Sequence, residues 1–300
     1  MDGLLLLRKP SGPTSHDCVV RLRKILGEKR IGHFGTLDPF AEGLLLAGIG
    51  KATRLFPFFG TIGKTYEGVI RLGQATDTYD RTGTALGPAA DSLPAEEDVL
   101  RAMARFRGDL IQLAPPFSAK KLAGKPLYVY ARGGAEVERR PAAVRVDRFE
   151  LRSYAPPDID FEVSCSAGTY VRSLAHDLGA DLGCGAHLHR LVRTAMGKYR
   201  LDEAKTPEEI EAAAAAGRFE AFLIPPEGLL EDLPAVSVTA AGRALVRNGR
   251  AIGLFGSAVA VRPEPAPAPG AVLRLFDPEN RLIALARIKE NEAAPFLVLI

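Results

Sequence analysis

Residues 64–72 read Lys64-Thr-Tyr66-Glu-Gly68-Val-Ile70-Arg-Leu72, and this alternation puts Tyr66, Gly68, Ile70 and Leu72 on one face of a half-buried strand. Residues 158–165 repeat the pattern through Ile159, Phe161, Val163 and Cys165. Toward the N-terminus, Gly3 to Leu7 reads as a short buried strand ended by the turn residues Pro10, Gly12 and Pro13. A helix follows. Thr14 serves as its N-cap with Asp17 three residues on, Val19, Leu22, Ile25 and Leu26 form its apolar face, and Gly27 closes it. Helical patterns recur at 94–107 and 169–178. Strands and helices mix without a regular βαβ repeat, so the expected fold is α+β, with a mixed or antiparallel central sheet flanked by helices rather than a doubly wound sheet.

The segment 203–228 reads as helical, alanine-rich and acidic, and it ends in Pro225-Pro226 as a boundary. Beyond Pro234, short apolar runs at 235–238, 251–255, 258–261, 271–276 and 281–287 alternate with Gly, Pro and Asn signals, as in a small β-domain with the Pro-rich 263–269 stretch as a loop. The expected organisation is a first domain over 1–230 and a second over 233–300.

A chain of 300 residues with 47% hydrophobic content can bury a sizeable core. No apolar run approaches the roughly 18 residues a membrane span requires, so a soluble, cytoplasmic protein with no membrane partner is expected. Cys18, Cys165 and Cys184 lack a CxxC spacing, which argues for reduced thiols. Cys184, His187 and His189, with His176 nearby, match no familiar zinc pattern, and no metal is expected. GxSxG and GxGxxG are absent, and Gly50-Lys51-Ala52 lacks the other parts of a P-loop. The net charge of +3 conceals strong segregation. Residues 8–30 carry seven Lys/Arg against two acids, residues 117–148 eight against three, and residues 202–232 nine acids against Lys205 and Arg218. Basic charge gathered before residue 200 fits a polyanionic partner, although solvated surface faces give the same count.

The densest anomaly is Arg30-Ile-Gly-His33-Phe-Gly-Thr-Leu-Asp38-Pro-Phe-Ala-Glu-Gly43, a glycine-punctuated loop before an apolar, helix-like run. Asp38-Pro39 alone also reads as the N-cap and first residue of a helix starting at Pro39. In Gly168-Thr-Tyr170-Val-Arg172-Ser-Leu, Thr169 looks like an N-cap, so Arg172 falls in the first helical turn. A cation there is unfavourable by about 0.3–1 kcal/mol, which an anionic partner or simple solvation would relieve.

Gly32-His-Phe-Gly-Thr-Leu-Asp38-Pro resembles the catalytic loop of the TruB family of pseudouridine synthases. Four further blocks agree in order. Gly3-Leu-Leu-Leu-Leu-Arg-Lys-Pro-Ser-Gly-Pro-Thr-Ser resembles the opening strand and turn, and Lys64-Thr-Tyr66 with Arg71-Leu-Gly-Gln-Ala-Thr-Asp77-Thr resembles the second motif. Pro115 through Tyr128 and on to Gly134 is similar to the RNA-gripping insertion, here about 112–148, and Cys165-Ser-Ala-Gly-Thr-Tyr170-Val-Arg172 to the third motif. The sequence departs at Phe34, which stands where a small or hydroxylated residue is expected and is expected to alter how the loop meets RNA, and at Leu46, where a proline is common.

The resemblance implies isomerisation of the T-loop uridine of tRNA, position 55, to pseudouridine, without metal or organic cofactor. It implies Asp38 as the reacting carboxylate, Arg172 as its ion-pair partner, and Tyr66 as a stacking platform. Tyr170 and Leu191 would line the pocket, and His33 would open the T-loop or touch a displaced base. It further implies a PUA-like RNA-binding domain over 233–300, and a monomer that engages the tRNA T-arm without an obligate protein partner. An RNA-folding chaperone, and a synthase working inside a ribonucleoprotein, are alternative uses of the same scaffold. An intrinsic gripping insertion and the lack of a basic tail favour the stand-alone enzyme.

Overall fold

In the computed structural model, which describes residues 1–118, 121–122, 125–126, 139–261 and 267–300, the leucine run of Gly3–Lys9 forms strand β1. The middle of the expected insertion and residues 262–266 of the Pro-rich stretch lie outside the described residues. Helix α1 (Ser15–Leu26) begins at Thr14, whose side chain and that of Asp17 satisfy each other's backbone N–H, and it ends at Gly27 in the left-handed conformation. Strands β2 (Ile31–Phe34), β3 (Glu42–Ile49) and β4 (Lys64–Leu72) follow, then α2 (Glu96–Arg105), β5 (Gly108–Leu113), β6 (Pro141–Ala155) and β7 (Asp158–Cys165). Helix α3 (Val171–Asp181), β8 (Ala186–Met196), β9 (Tyr199–Arg200), α4 (Pro207–Ala215) and β10 (Leu223–Ile224) complete the first part.

These strands make one mixed sheet in the order β10-β1-β3-β8-β4-β7-β6-β5, with β2 beside β3 and β9 beside β8. Among the described strand pairings of this sheet, β3–β8 alone is parallel. The leucines of β1 and β3 divide by parity. Leu4, Leu6, Leu44 and Leu46 enter one apolar cluster, while Leu5, Leu7, Leu45, Ala47 and Ile49 pack on Cys18, Val19 and Leu22 of α1. Both faces of these strands are buried, which is why they read as unbroken apolar runs rather than as alternations. At the other end of the sheet, Ile70, Phe149, Phe161 and Val163 pack under Val99 and Met103 of α2 and Leu174 and Leu178 of α3. Each such fully buried side chain contributes roughly 1.5–3 kcal/mol.

A second sheet, β12-β16-β15-β14-β11-β13, gathers β11 (Ala235–Val238), β12 (Ile252–Gly253), β13 (Val259–Val261), β14 (Val272–Phe276), β15 (Leu282–Lys289) and β16 (Glu292–Val298), with helix α5 (Ala240–Arg247) against it. Its Leu285, Leu297 and Leu299 join the cluster of Leu4, Leu6, Leu44 and Leu46, so the two sheets share one body of core.

Three sequence expectations are corrected. The run after Asp38 is strand β3 and no helix starts at Pro39, so Asp38 caps nothing. Residues 203–228 contain a helix only over Pro207–Ala215, with short 3-10 turns around it, because Gly217 and the two prolines interrupt the alanine run. The N-cap of α3 is Tyr170 rather than Thr169, which still leaves Arg172 in the first turn. Helix α5 and strand β16 were not anticipated.

Candidate active site

Asp38 sits in the loop joining β2 to β3, and two cations with no solvent access hold that loop from below. Lys9, at the end of β1, donates from Nζ to the carbonyls of Pro10 (3.0 Å), Pro39 (3.2 Å) and Ala41 (2.7 Å). Arg193 on β8 donates from Nε to Leu44 (2.7 Å) and from Nη2 to Gly35 (3.1 Å). A buried cation is costly unless its donors are filled. Here they are filled by carbonyls of the loop and its flanks, so the shape of residues 35–41 is coupled to both side chains. Ser15 adds a reciprocal pair with the Leu37 backbone (3.1 and 2.9 Å).

Arg172 reaches Asp38 from the first turn of α3. Its Nη2 donates to Asp38 Oδ1 (3.1 Å) and its Nε lies 2.9 Å from Oδ2, a two-point contact that fixes the carboxylate plane. The guanidinium is anchored behind by the Thr78 (3.0 Å) and Phe117 (2.8 Å) carbonyls and by Asp80, whose Oδ2 lies 3.4 Å from Nη1. Asp80 is itself buried and accepts from Thr78 Oγ1 (2.9 Å) and the Thr82 N–H (2.9 Å). The anionic partner that the helix position called for is therefore Asp38, with Asp80 as a second.

Arg172 keeps 5% of its side-chain surface exposed and Asp38 34%, so the carboxylate alone of this pair opens appreciably on the space above it. That space is a cavity of about 380 Å³. The six candidate site residues line it: His33 and Asp38 from the β2–β3 segment, Tyr66 from β4, Tyr170 and Arg172 from the start of α3, and Leu191 from β8. Tyr66 and Leu191 are deep, at 7% and 5% exposure. Tyr170 is fixed through its backbone by the buried amide of Gln112, which accepts from its N–H (2.7 Å) and donates to its carbonyl (3.0 Å).

The electrostatics follow from enclosure. Loss of solvent pushes the Asp38 carboxyl above the usual carboxylate range; Arg172 pulls it back and the charge of Asp80 pushes the same way as burial. His33 is held toward its neutral form by desolvation and by Arg193, and its Nδ1 has no hydrogen-bond partner. Lys64 also lines the cavity, and desolvation together with Arg193 lowers its ammonium to about 8.

Asp80, Lys9 and Arg193 are not among the candidate site residues of the sequence, although Asp77, three positions before Asp80, falls in the second motif. The Asp77 carboxylate instead accepts from the Thr84 N–H (2.7 Å) and closes a turn. Lys9 had a signal: it falls in step with Leu5 and Leu7 on a buried face, as Arg193 does with Leu191 and Ala195. Phe34, the departure expected to alter how the loop meets RNA, is 1% exposed and packs on Phe59 at 4.6 Å. Among the described residues no three His, Cys, Asp or Glu side chains converge as metal ligands. His187 Nδ1 bonds the Gln74 carbonyl (2.8 Å), and His176 stacks on Tyr79.

Known proteins match this chain at several levels. The sequence model of the TruB family pseudouridylate synthase N-terminal domain matches residues 23–171, and that of the tRNA pseudouridylate synthase B C-terminal domain matches residues 172–231. The tRNA pseudouridine synthase B of Burkholderia mallei is 42% identical over 295 residues, 98% of this chain and 96% of that protein. Its counterpart from Opitutus terrae is 50% identical over 212 residues, 71% of this chain and 88% of that protein. Among solved structures, an H/ACA ribonucleoprotein bound to a substrate RNA containing 2'-deoxyuridine has a chain that superposes with a TM-score of 0.74 at 25% identity, covering 99% of this chain and 85% of that one.

Proposed function

Because the chain belongs to the TruB family of pseudouridine synthases, we propose that it isomerises the T-loop uridine at position 55 of tRNA to pseudouridine, with Asp38 as the reacting carboxylate. That it converts a tRNA uridine to pseudouridine rests on kinship with two tRNA pseudouridine synthases B. The observation that carries the choice of site is the two-point Arg172–Asp38 contact at the bottom of a cavity that also collects His33, Tyr66, Tyr170 and Leu191.

In the reaction the C1′–N1 bond breaks, the uracil turns while bound, and C1′ joins C5. The hydrogen on C5 is replaced by one on N1, so the composition is unchanged. The target atom is inaccessible in a folded loop, and the nucleotide is flipped at a cost of a few kcal/mol. Stacking of uracil on Tyr66 offsets this by about 1–3 kcal/mol. Asp38 acts ionised, either adding to the sugar or removing a proton from it, and Arg172 both favours that charge and aims it. The base is retained, so no second carboxylate is required to protonate a departing group, unlike in glycoside hydrolysis. Leu191 and Tyr170 enclose the uracil, and His33 meets a base displaced from the T-loop.

Residues 1–230 are read as the catalytic domain, the basic 112–148 segment as a grip on T-arm phosphates, and 233–300 as a PUA-like RNA-binding domain. The chain acts as a monomer without a protein partner. Incubating the purified protein with an unmodified tRNA transcript and mapping pseudouridine by chemical labelling and primer extension tests this. Product at position 55 alone is expected. Product at other uridines with none at 55 would overturn the choice of substrate site.

A further inference from the structure

The rim of the Asp38 cavity carries an aromatic ring that the reaction does not use and that the core covers only on one side. Phe56 lines the cavity and is 51% exposed, whereas Tyr66 within is 7% exposed. It stands at the start of the one-turn helix Phe56–Phe59, after the 3-10 turn Gly50–Leu55. Its position is fixed from beneath. Phe34 meets it edge-on, with ring centroids 5.9 Å apart and planes at 67°, and Phe34 in turn packs on Phe59. Gly48 makes room for this arrangement, since a Cβ there would lie 2.5 Å from Phe34 Cζ. Pro57 follows directly and stiffens the backbone.

A large apolar ring left in water at the mouth of a polar site, already immobilised, loses little entropy on meeting a flat partner. The cavity beside it carries positive charge. Lys64 donates to the Ile62 carbonyl (2.7 Å) and has no carboxylate partner among the described residues. Flat and anionic together describe an unpaired nucleotide, whose base stacks on exposed aromatics without regard to sequence.

We propose that Phe56 is a second base-binding position: it stacks an unpaired RNA base adjacent to the flipped uridine, next to the Lys64 ammonium. The inference rests on the reading of Asp38's cavity as the site that receives uridine. It also assigns a task to Phe34, which never touches RNA but sets the angle of Phe56.

Steady-state kinetics on unmodified tRNA with Phe56→Ala, Phe56→Leu and Phe56→Trp tests it, alongside the fluorescence of T-arm hairpins carrying 2-aminopurine at each unpaired position beside the target. Loss of stacking worth about 1–3 kcal/mol corresponds to a roughly 5- to 150-fold rise in KM for Ala and for Leu, with kcat little changed. Trp retains the wild-type KM. Wild type quenches at least one probe, and Phe56→Leu, which keeps the packing on Phe34, does not. A Phe56→Leu enzyme with wild-type KM and wild-type quenching would overturn the inference, since apolar packing would then suffice. Quenching lost in Phe56→Leu but with no pseudouridine from wild type would keep this inference and overturn the catalytic reading instead.

Discussion

Asp38, Arg172 and Asp80 form a line in which one guanidinium serves two carboxylates, and the outer one is open to the cavity. Enclosure and the charge of Asp80 both raise the Asp38 carboxyl, so the rate should fall, as pH is lowered, at a pH above the ordinary carboxylate range. Removing a like charge lowers the pKa of the group that remains. Asp80→Asn should therefore move this acid limb of the single-turnover rate to lower pH, while reducing the plateau because Arg172 loses an anchor. A limb that stays put or moves upward would contradict the assignment. At this scale the sequence was informative where chemistry and spacing coincide, as at Asp38 and Arg172. It was silent on Asp80, because Thr76 to Thr82 mixes hydroxyls and carboxylates and only the turn geometry decides which carboxylate faces Arg172.

The β2–β3 loop runs into the parallel β3–β8 pairing of the first sheet, where Arg193 of β8 pairs with Gly43 of β3. Gly43 has φ +108°, and a Cβ there would lie 2.4 Å from the Arg193 carbonyl oxygen. Gly43→Ala must part β3 from β8 and should destabilise the fold by at least about 2 kcal/mol, with loss of activity in the remaining folded fraction. Gly87→Ala is the matched control, since φ is +85° but nothing lies within 4 Å of the added carbon. Equal urea midpoints for the two variants would contradict this account of the junction. Alternating strands such as β4 and β7 were legible because one face differs from the other. Strand β3 was not, since Leu44, Leu45 and Leu46 are all buried and a uniform run carries no period. The acidic 203–228 segment erred the other way: alanine favours helix wherever it stands, and the breaks at Gly217 and Pro225 outweighed it.

Across the whole molecule, the second sheet is legible as a β-unit but its attachment is not, since no local pattern announces that Leu285, Leu297 and Leu299 will meet Leu4, Leu6, Leu44 and Leu46. A core shared in this way couples the two sheets. Calorimetric unfolding should show one cooperative transition, lowered as a unit by Leu297→Ala; two transitions, only one of them sensitive to the substitution, would contradict the coupling. The most direct test of the central claim is single-turnover pseudouridine formation by Asp38→Asn on saturating unmodified tRNA, with tRNA affinity measured on the same preparation. The expected result is undetectable product with tRNA affinity retained, and product formed at a rate near wild type would contradict the assignment of Asp38 as the reacting group.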